Sequence, residues 1–313
     1  MSPVFKDYIW GGERLKTIYN KQTDMSPVAE SWELSCHKDG NSVIASGEFC
    51  GMPLSEYVSK FGEKCLGKNC MGDNFPILIK LIDAKSDLSV KVHPDDEYAF
   101  EAEGEQGKTE MWYIVDCDED ASLLYGFTSQ ISKEEFKKRI EDNSLLEVLN
   151  KVKVKKGDTF FIKSGTIHAI GAGCLIAEVR QNSNTTYRVY DYGRVDKDGN
   201  PRQLHIDKAL DVTTLAPADM SDSIGQAETF ENYSKKRLAS CEYFTVYEYT
   251  LNGNMNFEHS GNSFQCVLVT KGSLTIKTDE QVITLNAGET AFIPANCLKC
   301  DIDGDATFIV SYK

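Results

Sequence analysis

Apolar and polar residues alternate along much of the chain, and this alternation predicts β-strands. In the segment 88–93 three aliphatic residues alternate with three polar ones, namely Leu88, Val90 and Val92 with Ser89, Lys91 and His93. Because successive side chains of a strand point to opposite faces, the polar row lies on one face and the aliphatic row on the other. Such a strand is typical of a small barrel with a functional inner wall, and also of an ordinary half-exposed sheet.

Further strands and a few helices are predicted around this segment. Strands are expected at 75–83, 110–115, 158–162, 167–170, 174–181 and 186–191. One helix is expected from Pro53 to Gly67, and another after Pro94, where proline and acidic residues mark a helix start. A third begins at the capping box Ser132-Lys133-Glu134-Glu135, and a further helical segment covers 145–152. The chain is therefore expected to be mainly β with a small helical insertion.

A short internal repeat indicates a duplicated β fold. The segment 157–162, Gly-Asp-Thr-Phe-Phe-Ile, matches 288–293, Gly-Glu-Thr-Ala-Phe-Ile. In the same register His168 falls on Lys299. The second copy therefore keeps the turn and the strand but loses the imidazole. A short match can also arise by chance.

Length and composition favour two β domains. A chain of 313 residues is long for one domain, and 213–228 is rich in Ala, Asp, Ser and Pro with little periodicity. Short alternating strands follow from about residue 240. We expect a catalytic domain at 1–212 with a helical insertion at about 128–152, a linker at 213–235 and a second domain at 236–313.

The charge balance and the N-terminal sequence limit the partners. The chain has 34 Lys and Arg against 48 Asp and Glu, a net charge of −14, which argues against nucleic-acid or membrane partners. No signal-peptide pattern and no apolar run long enough to span a bilayer is present in the sequence. We therefore expect a cytoplasmic protein with reduced thiols. The pair Cys297 and Cys300 could be a structural zinc site or two buried thiols.

Two histidines and one glutamate on three predicted strands are candidate metal ligands. His93, Glu110 and His168 can converge inside a β-barrel. Neutral imidazoles and a carboxylate suit Zn²⁺, Fe²⁺ or Mn²⁺, and three ligands leave an open position for catalysis. The alternative is two core histidines with satisfied hydrogen bonds and a solvated glutamate.

Cationic residues accompany this trio in an acidic protein, which favours a substrate that carries phosphate or carboxylate. They are Lys80, Lys91, Lys108, Arg180, Arg188 and Arg194. Each could instead face solvent or form a surface ion pair, and we expect this for Arg180. Glu178 shares a strand face with Arg180, and is either a buried ion-pair partner or an acid/base group with a raised pKa.

With these residues together, the chain resembles the type I mannose-6-phosphate isomerases in their short bacterial form. The similarity is carried by 10–12, 30–33, 88–96, 108–111, 165–169 and 185–189. The family belongs to the cupins. The resemblance implies a mainly β fold of two cupin jelly-roll barrels or sandwiches, with a small helical insertion in the first and a degenerate second copy.

The resemblance also implies roles for individual residues. One Zn²⁺ per chain would be held by His93, Glu110 and His168. Arg188 would be the catalytic arginine, and we take Glu178 as the candidate base. The substrate-binding residues would be Lys80, Ser89, Lys108 and Arg194.

Two positions depart from the family pattern. Lys91 stands where the family often has a glutamine that is a fourth zinc ligand. An ammonium cannot ligate a metal, so water or substrate would take that position unless Lys91 is deprotonated. Gly107 replaces a histidine that is common in the family.

The implied activity is the interconversion of mannose 6-phosphate and fructose 6-phosphate through an enediolate. The partner is thus a small sugar phosphate, and the chain would be a monomer or a homodimer. Two alternatives remain open. One is a cupin non-haem iron oxygenase, because two histidines and a carboxylate also suit Fe²⁺. The other is a cupin that binds sugar phosphates without catalysis.

Overall fold

The computed structural model describes residues 1–70, 75–195, 199–219 and 225–313, which form two β units. The strands of the first unit are β1 (Val4–Lys6), β2 (Glu30–Leu34), β3 (Cys36–His37), β4 (Gly40–Asn41), β5 (Ile77–Ala84), β6 (Val90–Val92), β7 (Glu110–Cys117), β8 (Ser122–Phe127), β9 (Leu149–Lys153), β10 (Thr159–Ile162), β11 (His168–Ile170), β12 (Cys174–Gln181) and β13 (Tyr187–Tyr190). The strands of the second unit are β14 (Glu228–Thr229), β15 (Tyr233–Ser240), β16 (Thr245–Glu258), β17 (Gln265–Lys277), β18 (Val282–Asn286), β19 (Thr290–Ile293) and β20 (Lys299–Tyr312).

The helices of the described residues are short and all lie before residue 213. They are α1 (Arg14–Thr17), α2 (Leu54–Phe61), α3 (Glu63–Leu66), α4 (Asp96–Glu103), α5 (Lys133–Glu141) and α6 (Ile206–Val212), with 3₁₀ turns at Lys68–Cys70 and Leu145–Val148. The mainly β prediction is confirmed. None of the helices in the described ranges is long and apolar enough to cross a bilayer.

The first unit is a sandwich of two antiparallel sheets. One sheet has six strands in the order β1-β2-β5-β12-β7-β10, and the other has five in the order β13-β6-β11-β8-β9. The sheets stay open and face each other, so the unit is a sandwich rather than a closed barrel.

The six-stranded sheet is buried on both faces. Alternate side chains of its strands point to opposite faces, and each face packs against another part of the protein. One face carries Ile79, Leu81, Met111 and Val179, which pack against Phe244, Leu268 and Ile309 of the second unit in one apolar core. The other face looks toward the five-stranded sheet and carries Lys80, Glu110, Trp112 and Glu178. The sheet therefore separates an apolar core from the interior of the sandwich.

Local sequence signals determine where several of the helices begin and end. Asp95 caps α4 by accepting a hydrogen bond from the Tyr98 backbone N–H, and Gly104 ends the helix in a left-handed conformation. Ser132 caps α5 by accepting from the Glu135 backbone N–H, as the capping box predicts. The helix expected from Pro53 to Gly67 is two helices, α2 and α3, separated at Gly62.

The helical prediction for 145–152 is wrong over its second half. Only Leu145–Val148 forms a 3₁₀ turn, and β9 follows. Its backbone pairs with β8, with Val152 opposite Leu123. Tertiary pairing of an edge strand thus overrides the local pattern.

The second unit contains a seven-stranded antiparallel sheet. Its order is β14-β15-β16-β20-β17-β18, and β19 pairs with β17. The predicted linker at 213–235 extends in part beyond the described residues, at 220–224, and its last part already contains β14, which pairs with β15. The repeat has a structural counterpart, because β10 and β19 each follow a glycine with positive φ, Gly157 and Gly288.

Candidate active site

The space between the sheets of the first unit has an apolar half and a polar half. The apolar half is filled by residues such as Ile82, Ile114, Leu123, Phe160 and Ile170. The polar half contains charged side chains that are almost fully buried, namely Glu30, Lys80, His93, Lys108, Glu110, His168, Glu178 and Arg180. Charged groups are rarely buried unless they are paired or bind a ligand, so this half is the candidate active site.

His93, Glu110 and His168 converge in this polar half. His93 follows β6, Glu110 begins β7 and His168 begins β11. One ligand atom from each residue lies within 4.8 Å of the others. Glu110 Oε1 is 3.3 Å from His93 Nε2, and Glu110 Oε2 is 3.9 Å from His168 Nε2. The structure thus brings together the three residues that the sequence analysis selected.

The protonation states of the two imidazoles suit metal ligation. Burial lowers the pKa of His168 to about 4, in spite of the Glu110 charge. Burial and the neighbouring Lys108 ammonium hold the pKa of His93 well below its usual range. His168 Nδ1 lies 2.8 Å from the Thr166 carbonyl oxygen, which fixes the tautomer with the lone pair on Nε2.

Two buried imidazole nitrogens also lack hydrogen bonds. Within the described parts of the chain, neither His93 Nδ1 nor His168 Nε2 has a hydrogen-bond partner. Two neutral imidazoles and one carboxylate, with the unpartnered His168 Nε2 facing Glu110 Oε2, fit a divalent transition metal. Cys297 and Cys300 do not belong to a group of three or more potential metal ligands, since the trio is the one such group found in the described residues.

Lys108 contacts two members of the trio. Its Nζ is 2.9 Å from Glu110 Oε1 and 3.1 Å from His93 Nε2. Burial lowers the pKa of Lys108 to about 7, against the opposing effect of Glu110. Burial alone would raise the pKa of Glu110, but Lys108 and His93 outweigh it and hold this pKa well below its usual range. Glu110 therefore stays a carboxylate.

Glu178 lies beside the trio and is held by three side chains. Its Oε2 accepts a hydrogen bond of 2.9 Å from Trp112 Nε1, which also lies 3.2 Å from Glu110 Oε2. Its Oε1 is 3.2 Å from Lys80 Nζ and 3.3 Å from Arg180 Nε. Lys80 pairs in addition with Glu30, at 3.1 Å. Glu178 is thus a buried ion-pair partner in a fixed position.

The expectation that Arg180 forms a surface ion pair is wrong. The side chain has no exposed surface and lies near the Trp32 ring. Glu178 and Arg180 share a face, as their spacing predicts, but that face is the interior of the sandwich. Both faces of β12 are buried. The alternation of side chains along a strand shows which residues share a face, but it does not show whether that face is exposed to solvent.

Arg188 and Ser89 continue the polar row away from the trio. Arg188 Nε donates to Ser89 Oγ at 3.3 Å, and Nη1 donates to the Gln203 carbonyl oxygen at 3.0 Å. In the sheet, Lys91 lies between Arg188 on β13 and His168 on β11. Burial lowers the pKa of Arg188, and the nearby Arg202 and Arg194 charges act in the same direction.

Arg194 lies next to this end of the row and not beside the trio. Its Nη2 is 2.5 Å from Asp191 Oδ1, and its Nη1 donates to the Asp87 carbonyl oxygen. Arg202 pairs with the same carboxylate, with Nε 2.7 Å from Asp191 Oδ2. The sequence analysis missed Arg202. The turn residues Gly199-Asn200-Pro201 are a signal that the chain reverses and returns Arg202 to Arg194.

Family models match both ends of the chain. The model described as phosphomannose isomerase type I, catalytic domain, matches residues 1–113. The model described as mannose-6-phosphate isomerase, cupin domain, matches residues 234–313.

Similar proteins align over nearly the full length. The mannose-6-phosphate isomerase ManA of Bacillus subtilis is 38% identical over 315 residues, which cover 99% of this chain and 97% of the relative. The mannose-6-phosphate isomerase of Streptococcus mutans is 37% identical over 307 residues, 97% of this chain and 95% of the relative. The crystal structure of the Bacillus subtilis mannose 6-phosphate isomerase matches with a TM-score of 0.93 and 38% identity, over 99% of this chain and 98% of that one. These matches and the geometry of the site agree, and the chain belongs to the type I mannose-6-phosphate isomerase family.

Proposed function

We propose that the protein interconverts mannose 6-phosphate and fructose 6-phosphate. The buried trio of His93, Glu110 and His168, with the buried cations Lys80, Lys108 and Arg180 around it, is the observation that carries this proposal. The relatives are named mannose-6-phosphate isomerases, and their full-length similarity supports the same activity here. The reaction moves a proton between C2 and C1 while negative charge develops on the sugar oxygens.

The trio would hold one divalent ion per chain, and we propose zinc. When bound, the ion supplies a Lewis acid beside the sugar oxygens. The neutral imidazoles and the ionised carboxylate are the donor set that Zn²⁺ prefers, and Fe²⁺ or Mn²⁺ would also be accepted. Lys91 lies in the same row as His93, and burial lowers the pKa of its side chain. As an ammonium it would bring a positive charge, and not a fourth ligand, to this end of the site.

Arg188 would stabilise the negative charge of the enediolate. A guanidinium stays protonated throughout the reaction, so its role is electrostatic. Within the described residues, both hydrogen bonds of its side chain go to neutral oxygens, of Ser89 and Gln203, which leaves the charge available to a ligand. A fixed donor of this kind can stabilise negative charge that develops in the transition state without reorganising at the moment of reaction.

Glu178 is our candidate for the group that accepts the proton. The described carboxylates of the polar half are Glu30, Glu110 and Glu178. Glu110 belongs to the trio, and Glu30 lies behind Lys80, so Glu178 is the remaining acceptor next to the reacting carbons. Trp112 holds one of its oxygens in place, and replacement of Glu178 by glutamine would remove the acceptor while keeping the shape.

The substrate-binding roles of Lys80, Ser89, Lys108 and Arg194 remain proposals. Lys108 contacts His93 and Ser89 contacts Arg188, so both lie in the polar half and would donate to the sugar phosphate directly. Lys80 lies between two carboxylates, so it would act on the substrate through its contact with Glu178. We further propose a cytoplasmic protein, a monomer or a homodimer. The ten cysteines are all unpaired, as a reducing compartment would require.

The test is to strip the purified protein of metal, add Zn²⁺, Fe²⁺ or Mn²⁺ back, and follow mannose 6-phosphate and fructose 6-phosphate. We expect interconversion that chelation abolishes and Zn²⁺ restores. Full turnover after exhaustive chelation would exclude the metal role. Oxygen consumption with Fe²⁺ would indicate an oxygenase, and binding of mannose 6-phosphate without ketose formation would indicate a sugar-phosphate-binding protein.

A further inference from the structure

Arg180 is a buried cation of the polar half to which no role in the reaction has been assigned. It lies on β12, and its side chain has no exposed surface. Its Nη2 donates to Asn184 Oδ1 at 3.4 Å, and within the described residues neither Nε nor Nη1 has a hydrogen-bond partner. Burial of a guanidinium is costly unless an opposite charge compensates it, so its charged neighbours indicate what it does.

Glu178 supplies the charge that compensates Arg180. The two residues share one face of β12, and Arg180 Nε is 3.3 Å from Glu178 Oε1. Lys80 Nζ also lies 3.2 Å from this oxygen, but it is shared with Glu30, which it contacts at 3.1 Å. Two carboxylates and one ammonium leave a net negative charge, and Arg180 balances it.

The guanidinium of Arg180 is itself held in place. Asn184, which accepts from its Nη2, donates in turn to Asp39 Oδ2 at 2.9 Å. The Trp32 ring lies 5.9 Å from the guanidinium carbon, a distance at which a cation is attracted to the ring. These neighbours belong to β2, to the turn between β3 and β4 and to the segment after β12. Three parts of the first unit therefore fix the position of Arg180.

The two oxygens of Glu178 are held in different ways. Oε2 accepts a hydrogen bond of 2.9 Å from Trp112 Nε1. Oε1 accepts no hydrogen bond within the described residues and is held by the charges of Lys80 and Arg180. A carboxylate held at both oxygens has little freedom to rotate, and transfer of a proton from a fixed carbon requires such an orientation. Oε1 is the oxygen whose lone pair is free for that proton.

We propose that Arg180 is a positioning residue for proton transfer, an inference that rests on the proposed function and on the role of Glu178 in it. The guanidinium attracts Glu178 Oε1 without occupying its lone pair, so the oxygen is oriented and still able to accept a proton. Lys80 alone would do this less well, because it serves Glu30 as well. Arg180 thus acts on the reaction through Glu178 and not by contact with the substrate.

The kinetic test compares Arg180→Met, which has a similar length and no charge, with Arg180→Lys, which keeps the charge. In the zinc-loaded protein with mannose 6-phosphate, Arg180→Met should lower kcat about tenfold and change KM less than about threefold. Arg180→Lys should recover most of the lost kcat. Arg139→Met is the matched control, since Arg139 pairs with Glu135 and Glu147 outside the polar half, and both constants should stay at their wild-type values.

A double-mutant cycle tests whether Arg180 acts through Glu178. Arg180→Met should lower the residual kcat of Glu178→Gln by less than about twofold, because the carboxylate that Arg180 positions is absent. An equal loss of about tenfold in both backgrounds would overturn the proposal, and so would a wild-type kcat in Arg180→Met. Urea unfolding shows whether each variant is folded. Arg180→Gln, which can still donate to Asn184, takes the place of Arg180→Met if the latter does not fold.

A spectroscopic readout separates this proposal from the proposed activity. The chain has three tryptophans, and Trp112→Phe identifies the indole N–H signal of Trp112 among them in a ¹⁵N NMR spectrum. Because this N–H donates to Glu178, its chemical shift should change in Arg180→Met and return toward the wild-type value in Arg180→Lys. An unchanged signal in Arg180→Met would contradict the positioning of Glu178. A wild type that lacks turnover while the signal responds as expected would instead refute the activity and leave the pairing of Arg180 with Glu178 standing.

Discussion

The two β units share a glycine turn followed by a short strand, but they differ in the polarity of their interiors. In the first unit, β10 is followed by His168, which is fully buried and lies 3.9 Å from a carboxylate oxygen of Glu110. In the second unit, β19 is followed by Lys299, which is exposed at the start of β20. Among the described residues of the second unit no charged side chain is buried, and its core is built from apolar residues such as Val267, Leu274, Ile302 and Phe308.

This difference shows that the fold and the chemistry are separable. The glycine turn, the short strand and the antiparallel pairing are common to both units, because they depend on backbone geometry and on alternation. A metal-capable interior depends in addition on a few polar side chains that point inward. The chemistry that we propose therefore depends on the residues of the first unit and not on the architecture that both units share.

The largest effect is expected at the position where the two units differ most. His168→Gln should remove a ligand and the Lewis acid it helps to hold, and lower kcat by about a thousandfold. Bound zinc per chain, measured by atomic absorption, should fall in parallel. Lys299→Gln is the matched change in the second unit, and it should leave both quantities within twofold of wild type. Zinc retention with unchanged kcat in His168→Gln would contradict the metal site.

A cavity in the second interior should cost stability and not chemistry. Phe308 is fully buried and stacks on Tyr249, so Phe308→Ala should lower the free energy of unfolding by about 3–5 kcal/mol. The kcat of the protein that remains folded should stay at the wild-type value. Urea unfolding and activity at low temperature check the two parts. A large loss of kcat at full folding would show that the second unit contributes to the reaction.

Arg188→Ala should lower turnover more than it weakens binding. The guanidinium acts on charge that develops in the enediolate, so kcat should fall about a hundredfold with a smaller change in KM. Steady-state kinetics with mannose 6-phosphate measure both. A change confined to KM would assign Arg188 to ground-state binding alone.

Trp112→Phe should have an intermediate effect. The change keeps the ring but removes the N–H that lies 2.9 Å from Glu178 and 3.2 Å from Glu110. A hydrogen bond to a charged group contributes about 1.5–3 kcal/mol, so kcat should fall about tenfold. Tyr249→Phe deletes a hydroxyl in the second unit and serves as the control, with no expected change in kcat.

The smallest effect is expected in the helical insertion, which has no counterpart in the second unit. Ser132→Ala removes the cap of α5 and should lower stability by about 1 kcal/mol, measured by urea unfolding. The kinetic constants should not move, since α5 packs outside the sandwich. A loss of activity would indicate that the insertion helps to position the interior.

Much of the first unit follows from its sequence. The boundaries of β12 are those predicted at 174–181, and the capping signals of α4 and α5 act as expected. The polar row of Ser89, Lys91 and His93 shares one face because strand alternation is a property of the backbone. Residue types on predicted strands suggested the trio and its cations, and the resemblance to the family implied their roles. No spacing along the chain shows which strands lie opposite each other.

The remaining features depend on three-dimensional context. The local sequence pattern could not show that residues 149–153 form a strand and not a helix, because pairing with β8 determines their conformation. Alternation on β12 could not show that Arg180 is buried, because both faces of the sheet are covered. Arg202 lies in an irregular segment without periodicity, and its relation to Arg194 follows only from the return of the chain to Asp191.

The face of the six-stranded sheet that Phe244, Leu268 and Ile309 cover has a consequence for dissecting the protein. A fragment that stops before β14 would expose a large apolar surface to water, and such fragments would aggregate through this surface. By covering this face, the second unit keeps the first unit from aggregating. We expect the intact chain to melt in one cooperative step, and the shortened enzyme to precipitate.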